Sequence, residues 1–432
     1  MNSPFLPQPI DAFRDAAGLE VFASADDVVA KLAPDDPVQC LFPEKLRGNA
    51  RAFLANFPGK VLYAVKCNPD RRVLQYLWRA GVRHFDVASE GEIALIHGLF
   101  PNARMSYMHP VKSRRAIREA WRLGVRDFSL DSESELIKII EETGNPGGDK
   151  AARRPNLFVR MAAPKGDDAA LDLSGKFGVS GNEAVELLRK ARRVAHKLGI
   201  CFHVGSQCMA PDAYARAIAA ARRLADAAGV KVDVLDVGGG FPIAYPDLAP
   251  PPLEDYMAAI RRAVAENGFA GTELWCEPGR AMVGTGGSVI VKVELRRGDR
   301  LYINDGTYGT LFDAGSLGWR FPVRLIRPEG GASRELAPFS FYGPTCDSLD
   351  QMKGPFMLPE DVREGDWIEI TQLGSYGTAM RTAFNGFYSD TTVAIVPPRR
   401  FPADARKGAK TIRLHEKLSA RRGARNGVSQ DV

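Results

Sequence analysis

Several reactive side chains in this sequence stand at the end of an apolar, β-rich run. Lys66 follows "KVLYAV", Asp86 closes "VRHFDV" with Glu92 just beyond it, and Arg160 lies in "NLFVRM". His203 and Ser206 fall within and after "ICFHVG". Gly238, Gly239 and Gly240 follow "VDVLDV", and Glu277, Gly279 and Arg280 follow "TELWC". Each has an ordinary reading. A lysine after a strand is usually a solvated charge, three glycines make a tight turn, a histidine among apolar neighbours is a satisfied core residue, and Glu277 pairs with Arg280. Each also has a chemical one. A lysine taken out of water beside carboxylates can lose its proton and form an imine with an aldehyde. Small residues let backbone N–H groups approach a phosphate. A flat imidazole can stack on an aromatic ring. A carboxylate beside a pyridine nitrogen favours the protonated ring, which then becomes an electron sink.

These residues act together only if the fold carries the strand ends to one face. The β-rich runs at 60–65, 82–87, 104–108, 125–130, 156–161, 200–205, 232–237 and 272–277 alternate with helical patterns such as "RRVLQYLWRAGV". That alternation predicts parallel strands with right-handed crossovers, and its length suits a TIM (β/α)8 barrel over 40–284, with the active site at the strand ends. A doubly wound open sheet is the competing fold. After Pro278 the texture becomes β-rich with Gly, Pro and Asp turns, so a second, all-β barrel or sandwich domain is expected over 285–398. Residues 1–39 carry the helical pattern "SADDVVAKL" and fit either domain. "GNPGGDKAARRP" at 144–155 reads as a surface insertion.

Composition sets outer limits. A chain of 432 residues, 45% hydrophobic and 25% charged, is a soluble globular protein of more than one domain. The net charge of +6 is local. From Arg399 onward ten Lys and Arg face Asp404, Glu416 and Asp431, an excess of seven that leaves the rest near −1. The body therefore offers no basic patch for nucleic acid. The tail 399–432 reads as a disordered basic segment, with polyanion binding as the alternative. The six cysteines show no CxxC or Cys/His metal spacing, which suits reduced thiols in a cytoplasmic protein and no metal. Met1–Asp11 lacks a secretory pattern, and no apolar run approaches the roughly 20 residues of a membrane span.

The segments "YAVKCNP", "FDVASEGE", "SGKFGV", "HVGSQC", "DVGGGFP", "EPGR", "GPTCDSLD" and "FNGF" resemble, in order and spacing, the ornithine/lysine decarboxylase family of pyridoxal 5'-phosphate (PLP) enzymes, whose barrel is of the alanine-racemase kind. The likeness runs from about residue 40 to 398. It implies decarboxylation of a basic amino acid, most simply L-ornithine to putrescine, with L-lysine as a further substrate. It implies that Lys66 carries PLP, Glu277 holds the pyridinium proton and His203 stacks on the ring. Ser206, Gly238–Gly240, Gly279, Arg280 and Tyr376 would bind the phosphate end. Asp86, Glu92 and Arg160 would line the ring edge and position Lys66. Cys346 would protonate the carbanion left by CO2, and Asp347 would meet the distal ammonium of the substrate, assisted by Asp313, Tyr308 and Phe384. In the family Cys346 and Asp347 come from the partner subunit, so a homodimer is implied.

Departures concern the substrate rather than the cofactor. Gly377 replaces a frequent Thr, His109 in "SYMHPVK" replaces a frequent Asn, and "LFDAGSLGW" differs where substrate length is set. A diaminopimelate decarboxylase would typically carry Glu in place of Asp347. A racemase on the same barrel would typically set Arg, not Glu277, at the ring nitrogen. A non-catalytic regulatory homologue would not need Lys66, Glu277, Cys346 and Asp347 together.

Overall fold

The computed structural model describes residues 14–144, 154–164, 169–171 and 175–398. The basic tail, Met1–Asp11, Ser174 and most of the 144–155 insertion lie outside them. The strands are, first, β1 (Val21–Phe22), β2 (Val38–Leu41), β3 (Lys60–Ala64), β4 (His84–Val87), β5 (Arg104–Tyr107), β6 (Asp127–Leu130) and β7 (Asn156–Arg160). There follow β8 (Ala169–Leu171), β9 (Leu198–Cys201), β10 (Ser206–Cys208), β11 (Val234–Asp236) and β12 (Glu273–Cys276). The remainder are β13 (Gly287–Arg297), β14 (Arg300–Ile303), β15 (Val323–Ile326), β16 (Leu336–Tyr342), β17 (Gln351–Pro359), β18 (Trp367–Thr371) and β19 (Thr392–Ile395).

Eight strands close a parallel barrel in the order β11-β12-β3-β4-β5-β6-β7-β9. Closure is made by β12 against β3, with Trp275 opposite Lys60, so the open doubly wound sheet is excluded. All eight runs read from the sequence become barrel strands. The sixth is displaced: β9 ends at Cys201, which puts His203 in the following loop. The barrel is filled, not hollow. Leu62, Met108, Phe158, Cys201, Val234 and Trp275 form one buried cluster. Gly199 makes room for this packing, because a Cβ there would lie 2.4 Å from the Phe158 ring. Helices return the chain between strands, and several start where a serine caps the free N–H groups, as Ser89, Ser113 and Ser132 do. At the N-terminal end of the barrel Glu273 pairs with Lys60 and Lys197 and accepts from Trp275 Nε1.

A nine-stranded sheet follows the path β1-β19-β2-β13-β14-β16-β17, with β18 paired to β13 and β15 to β18. The N-terminal segment therefore contributes to this sheet: β2 runs antiparallel to β13, with Cys40 opposite Ser288, and parallel to β19. Helix Ala25–Leu32 lays Val28 and Val29 into the same apolar cluster as Ile290 and Ile326. The region after Pro278 is not purely β, since Phe312–Ser316 is a short helix. Barrel and sheet are stitched together beside Lys66. Asn68 Nδ2 donates to Gly374 O at 2.9 Å, and the Tyr376 N–H donates to Cys67 O at 2.9 Å.

Candidate active site

A cavity of about 400 Å³ opens at the C-terminal mouth of the barrel, where loops begin. Lys66, Asp86, Arg160, His203, Ser206, Glu277 and Tyr376 line it. They come from the ends of five barrel strands, β3, β4, β7, β9 and β12, and, for Tyr376, from the sheet region. Ala88, Met108, His109, Pro110, Lys176 and Phe177 complete the wall.

Lys66 lies in the turn that follows β3, with Nζ 2.7 Å from Asp86 Oδ2. Its side chain is 43% exposed, and that exposure is to the cavity, which it lines. Burial alone would pull its pKa down. The charges of Asp86, Glu277 and Tyr376 and the hydrogen bond to Asp86 outweigh it and hold the ammonium above its ordinary value.

On the far wall Glu277 follows β12, and its N–H donates to Gly238 O at 2.8 Å. Beside it, at the end of β11, stands Asp236, fully buried. Asp236 Oδ1 accepts the Gly238 N–H at 2.9 Å, while Oδ2 has no ordinary donor and is within hydrogen-bonding reach of the Glu277 carboxyl. Burial, then the Asp236 and Asp86 charges, raises Glu277 well above the usual carboxylate range. Burial raises Asp236 to about 7. Like charges this close cannot both ionise at neutral pH.

His203 is neutral. Burial first, then the Arg160 and Lys66 charges, lowers its pKa to about 3. Nδ1 accepts the Gly205 N–H at 3.0 Å, which places the ring proton on Nε2. The glycine run makes this wall thin. Gly238 has φ +68°, and a Cβ there would lie 2.0 Å from Phe202 O; at Gly239 it would lie 2.6 Å from Glu277 O. The N–H groups of Gly239 and Gly240 meet no acceptor among the described residues. Gly279 packs its bare Cα against Cys67. Tyr376 holds φ +57°, a costly conformation for a side-chain-bearing residue, fixed by its bond to Cys67.

Other expected site residues do not line the cavity itself. Glu92 does not line the cavity; it accepts the Ala88 N–H at 2.7 Å as part of a helix cap and acts on Asp86 and Lys66 only through its charge. Arg280 is buried with Nε unpartnered, and it donates to Tyr245 and Ser375 and pairs with Asp313 at 3.2 Å. Asp313 is therefore not an open carboxylate on the cavity wall: a buried carboxylate needs a counter-ion, and Arg280 supplies it. Cys346, Asp347, Tyr308 and Phe384 gather at a separate, largely exposed place. Cys346 Sγ is 3.3 Å from Asn385 Oδ1, Tyr308 donates to Asp347, and the Tyr308 and Phe384 rings lie 4.9 Å apart. Asp350 ties down their loop by accepting from Thr307 N, Thr345 N and Thr345 Oγ1. None of the four lines the Lys66 cavity.

The sequence reading passed over Asp236 and the wall formed by Lys176 and Phe177. A carboxylate inside an otherwise apolar strand run was the available signal for Asp236. The residues present fit a flat, aldehyde-bearing ring with a phosphate tail. There is an amine for the aldehyde, a neutral imidazole for the ring face and a proton-retaining carboxyl pair for the ring nitrogen. The orphaned Arg280 Nε and the free Gly239 and Gly240 N–H groups suit a phosphate. Among the described residues no cluster of His, Cys, Asp and Glu is arranged to hold a metal ion, and no helix is long and apolar enough to cross a membrane.

Comparison with known proteins gives the same direction. Residues 44–284 match the family described as pyridoxal-dependent decarboxylase, pyridoxal binding domain, and 204–374 match its C-terminal sheet domain. A lysine/ornithine decarboxylase of Selenomonas ruminantium is 36% identical over 342 residues, covering 77% of this chain and 82% of the relative. The crystal structure of lysine decarboxylase from Selenomonas ruminantium superposes with a TM-score of 0.73 at 32% identity, covering 89% of this chain and 98% of that one. The lysine/ornithine decarboxylase of Vibrio vulnificus complexed with putrescine gives 0.71 at 27% identity, covering 87% and 100%.

Proposed function

This chain belongs to the pyridoxal-dependent decarboxylases and is a PLP-dependent carboxy-lyase of basic amino acids; from that premise we propose that its substrate is L-ornithine, giving putrescine and CO2, with L-lysine as the competing substrate. PLP, when bound, supplies an aldehyde for the amino group and a protonated ring that absorbs the electron pair left as CO2 departs. Lys66 Nζ is the amine that would hold that aldehyde, and Asp86 Oδ2, 2.7 Å away, is placed to take the proton it must first lose. Glu277 would face the ring nitrogen, and the neutral His203 ring would cover one face of the ring. Arg280, Tyr376, Ser206, Gly279 and the Gly238–Gly240 turn would bind the phosphate. The convergence of Lys66, His203 and Glu277 on one cavity carries this reading.

Selectivity for a basic side chain rests on Asp347. Hydrogen bonds from the Leu349 N–H and from Tyr308 hold its carboxyl below the usual range, so it is an anion suited to a distal ammonium. It shares its patch with Cys346 and with exposed Leu349, Phe384 and Phe387. A second copy of the chain laid over this apolar patch would bring Cys346 and Asp347 to the partner's Lys66 cavity, which is the reading favoured for the working assembly, a homodimer.

The experiment is a competition. The PLP-loaded protein is given ornithine, lysine, arginine and diaminopimelate together, and the amines are identified by mass spectrometry. Putrescine is expected first, with cadaverine second. Lysine from diaminopimelate as the main product, or no amine at all, refutes the assignment.

A further inference from the structure

The Asp236 carboxyl does not line the cavity, yet it is the least ordinary group near it. It is fully buried, its Oδ1 is committed to the Gly238 N–H at 2.9 Å, and its Oδ2 has no donor. Adjacent strand ends hold it beside Glu277: β11 pairs with β12, and the Glu277 N–H donates to Gly238 O at 2.8 Å. Two carboxyl groups in that relation bond only through a proton held between them. An ionised, unpartnered oxygen sealed from water would be costly, so the fold retains this pair because a proton occupies it.

We propose that Asp236 is a positioning residue that takes, on Oδ2, the proton Glu277 must give up before its carboxylate can face a protonated ring nitrogen. With the ring absent, the Glu277 O–H donates to Asp236 and the negative charge sits on Asp236. With a pyridinium beside Glu277, that O–H breaks, the Asp236 Oδ2–H forms, and the charge moves to Glu277. The pair keeps one proton and one negative charge throughout, and no proton is exchanged with water. The groups facing the pair agree with a single charge. Lys66 and Arg160 attract it, Asp86 repels a second one, and the thiols of Cys201 and Cys276 are held protonated by burial, then by the pair's charge. Glu277 opens on the cavity whereas Asp236 does not, so only Glu277 can meet the ring and only Asp236 can store the proton out of reach of substrate.

The test reads carboxyl protonation directly and rests on PLP occupying the cavity only in its loaded arm. Infrared difference spectra of the full-length PLP-loaded protein are expected to show a protonated-carboxyl C=O band at neutral pH that disappears in Asp236→Asn. In cofactor-free protein the corresponding band is expected to disappear in Glu277→Gln. Asparagine keeps an acceptor for the Gly238 N–H and a donor toward Glu277, so Asp236→Asn should bind PLP within about threefold of wild type. Asp236→Leu keeps neither and should bind at least tenfold more weakly. A loaded spectrum without an Asp236-dependent carboxyl band, or Asn as weak as Leu, overturns the proposal. Failure of the wild type to take up PLP would count against the cofactor assignment instead, and the cofactor-free arm would still decide whether the pair holds a proton.

Discussion

Cys346 stands in the open, its Sγ 3.3 Å from the Asn385 side-chain oxygen, on a loop that Asp350 holds in place. If it is the acid that protonates the carbon left by CO2, Cys346→Ala should take up PLP normally and form the correct amine ~10²–10⁴-fold more slowly. Measuring CO2 release and amine formation in the same samples separates the two steps, and wild-type amine formation would assign the proton to another group. Lys66, His203 and Glu277 were legible in the sequence because each interrupts or ends an apolar run where a barrel opens. Asp236 was not, because a carboxylate in "VDVLDV" looks like an outward-facing strand residue until its burial is known. Nor was the Arg280–Asp313 pair, formed across 33 positions between barrel and sheet regions.

Strand order shows what pattern can and cannot reveal. Helices between the first eight runs make them parallel, but spacing leaves an open sheet as well as a barrel, and only the pairing of β12 with β3 decides between them. The sheet pairs strands distant in sequence, and no local signal joins β2 to β13 or β19. One strand carries a pH dependence. At the start of β12 burial pushes the Glu273 carboxyl up, but hydrogen bonds from Lys197, Lys60 and Trp275 overcome it and hold the pKa down at about 2, against an ordinary 4.5. A depressed acid stabilises the fold fully above about pH 4.5 and ceases to as pH falls through about 2. Solvent screening limits this to about 1 kcal/mol. Glu273→Gln should flatten that part of the stability profile, read as urea midpoints between pH 5 and pH 2 (~3 units). An unchanged slope would mean other carboxylates dominate acid unfolding.

At the scale of the whole molecule, the cavity with Lys66 and the patch with Cys346 lie apart in one chain. In a two-fold assembly a Lys66→Ala protein and a Cys346→Ala protein, each impaired alone, should recover activity on mixing. Random reassortment of equal amounts places both intact halves at about a quarter of the sites. Activity that stays at the level of the separate variants would mean that each chain completes its own site.

The sheet draws β1 and β2 from one end of the described chain and β19 from the other, so the barrel is an insertion within it. During synthesis, β12 leaves the ribosome long before β19, and domains fold as their parts emerge. The barrel can mature while β2 still waits for its neighbour. Tyr376 and the 373–376 loop, which finish the wall beside Lys66, arrive only with the last strands. The wall beside Lys66 is therefore completed late in synthesis, after the strands of the barrel have left the ribosome.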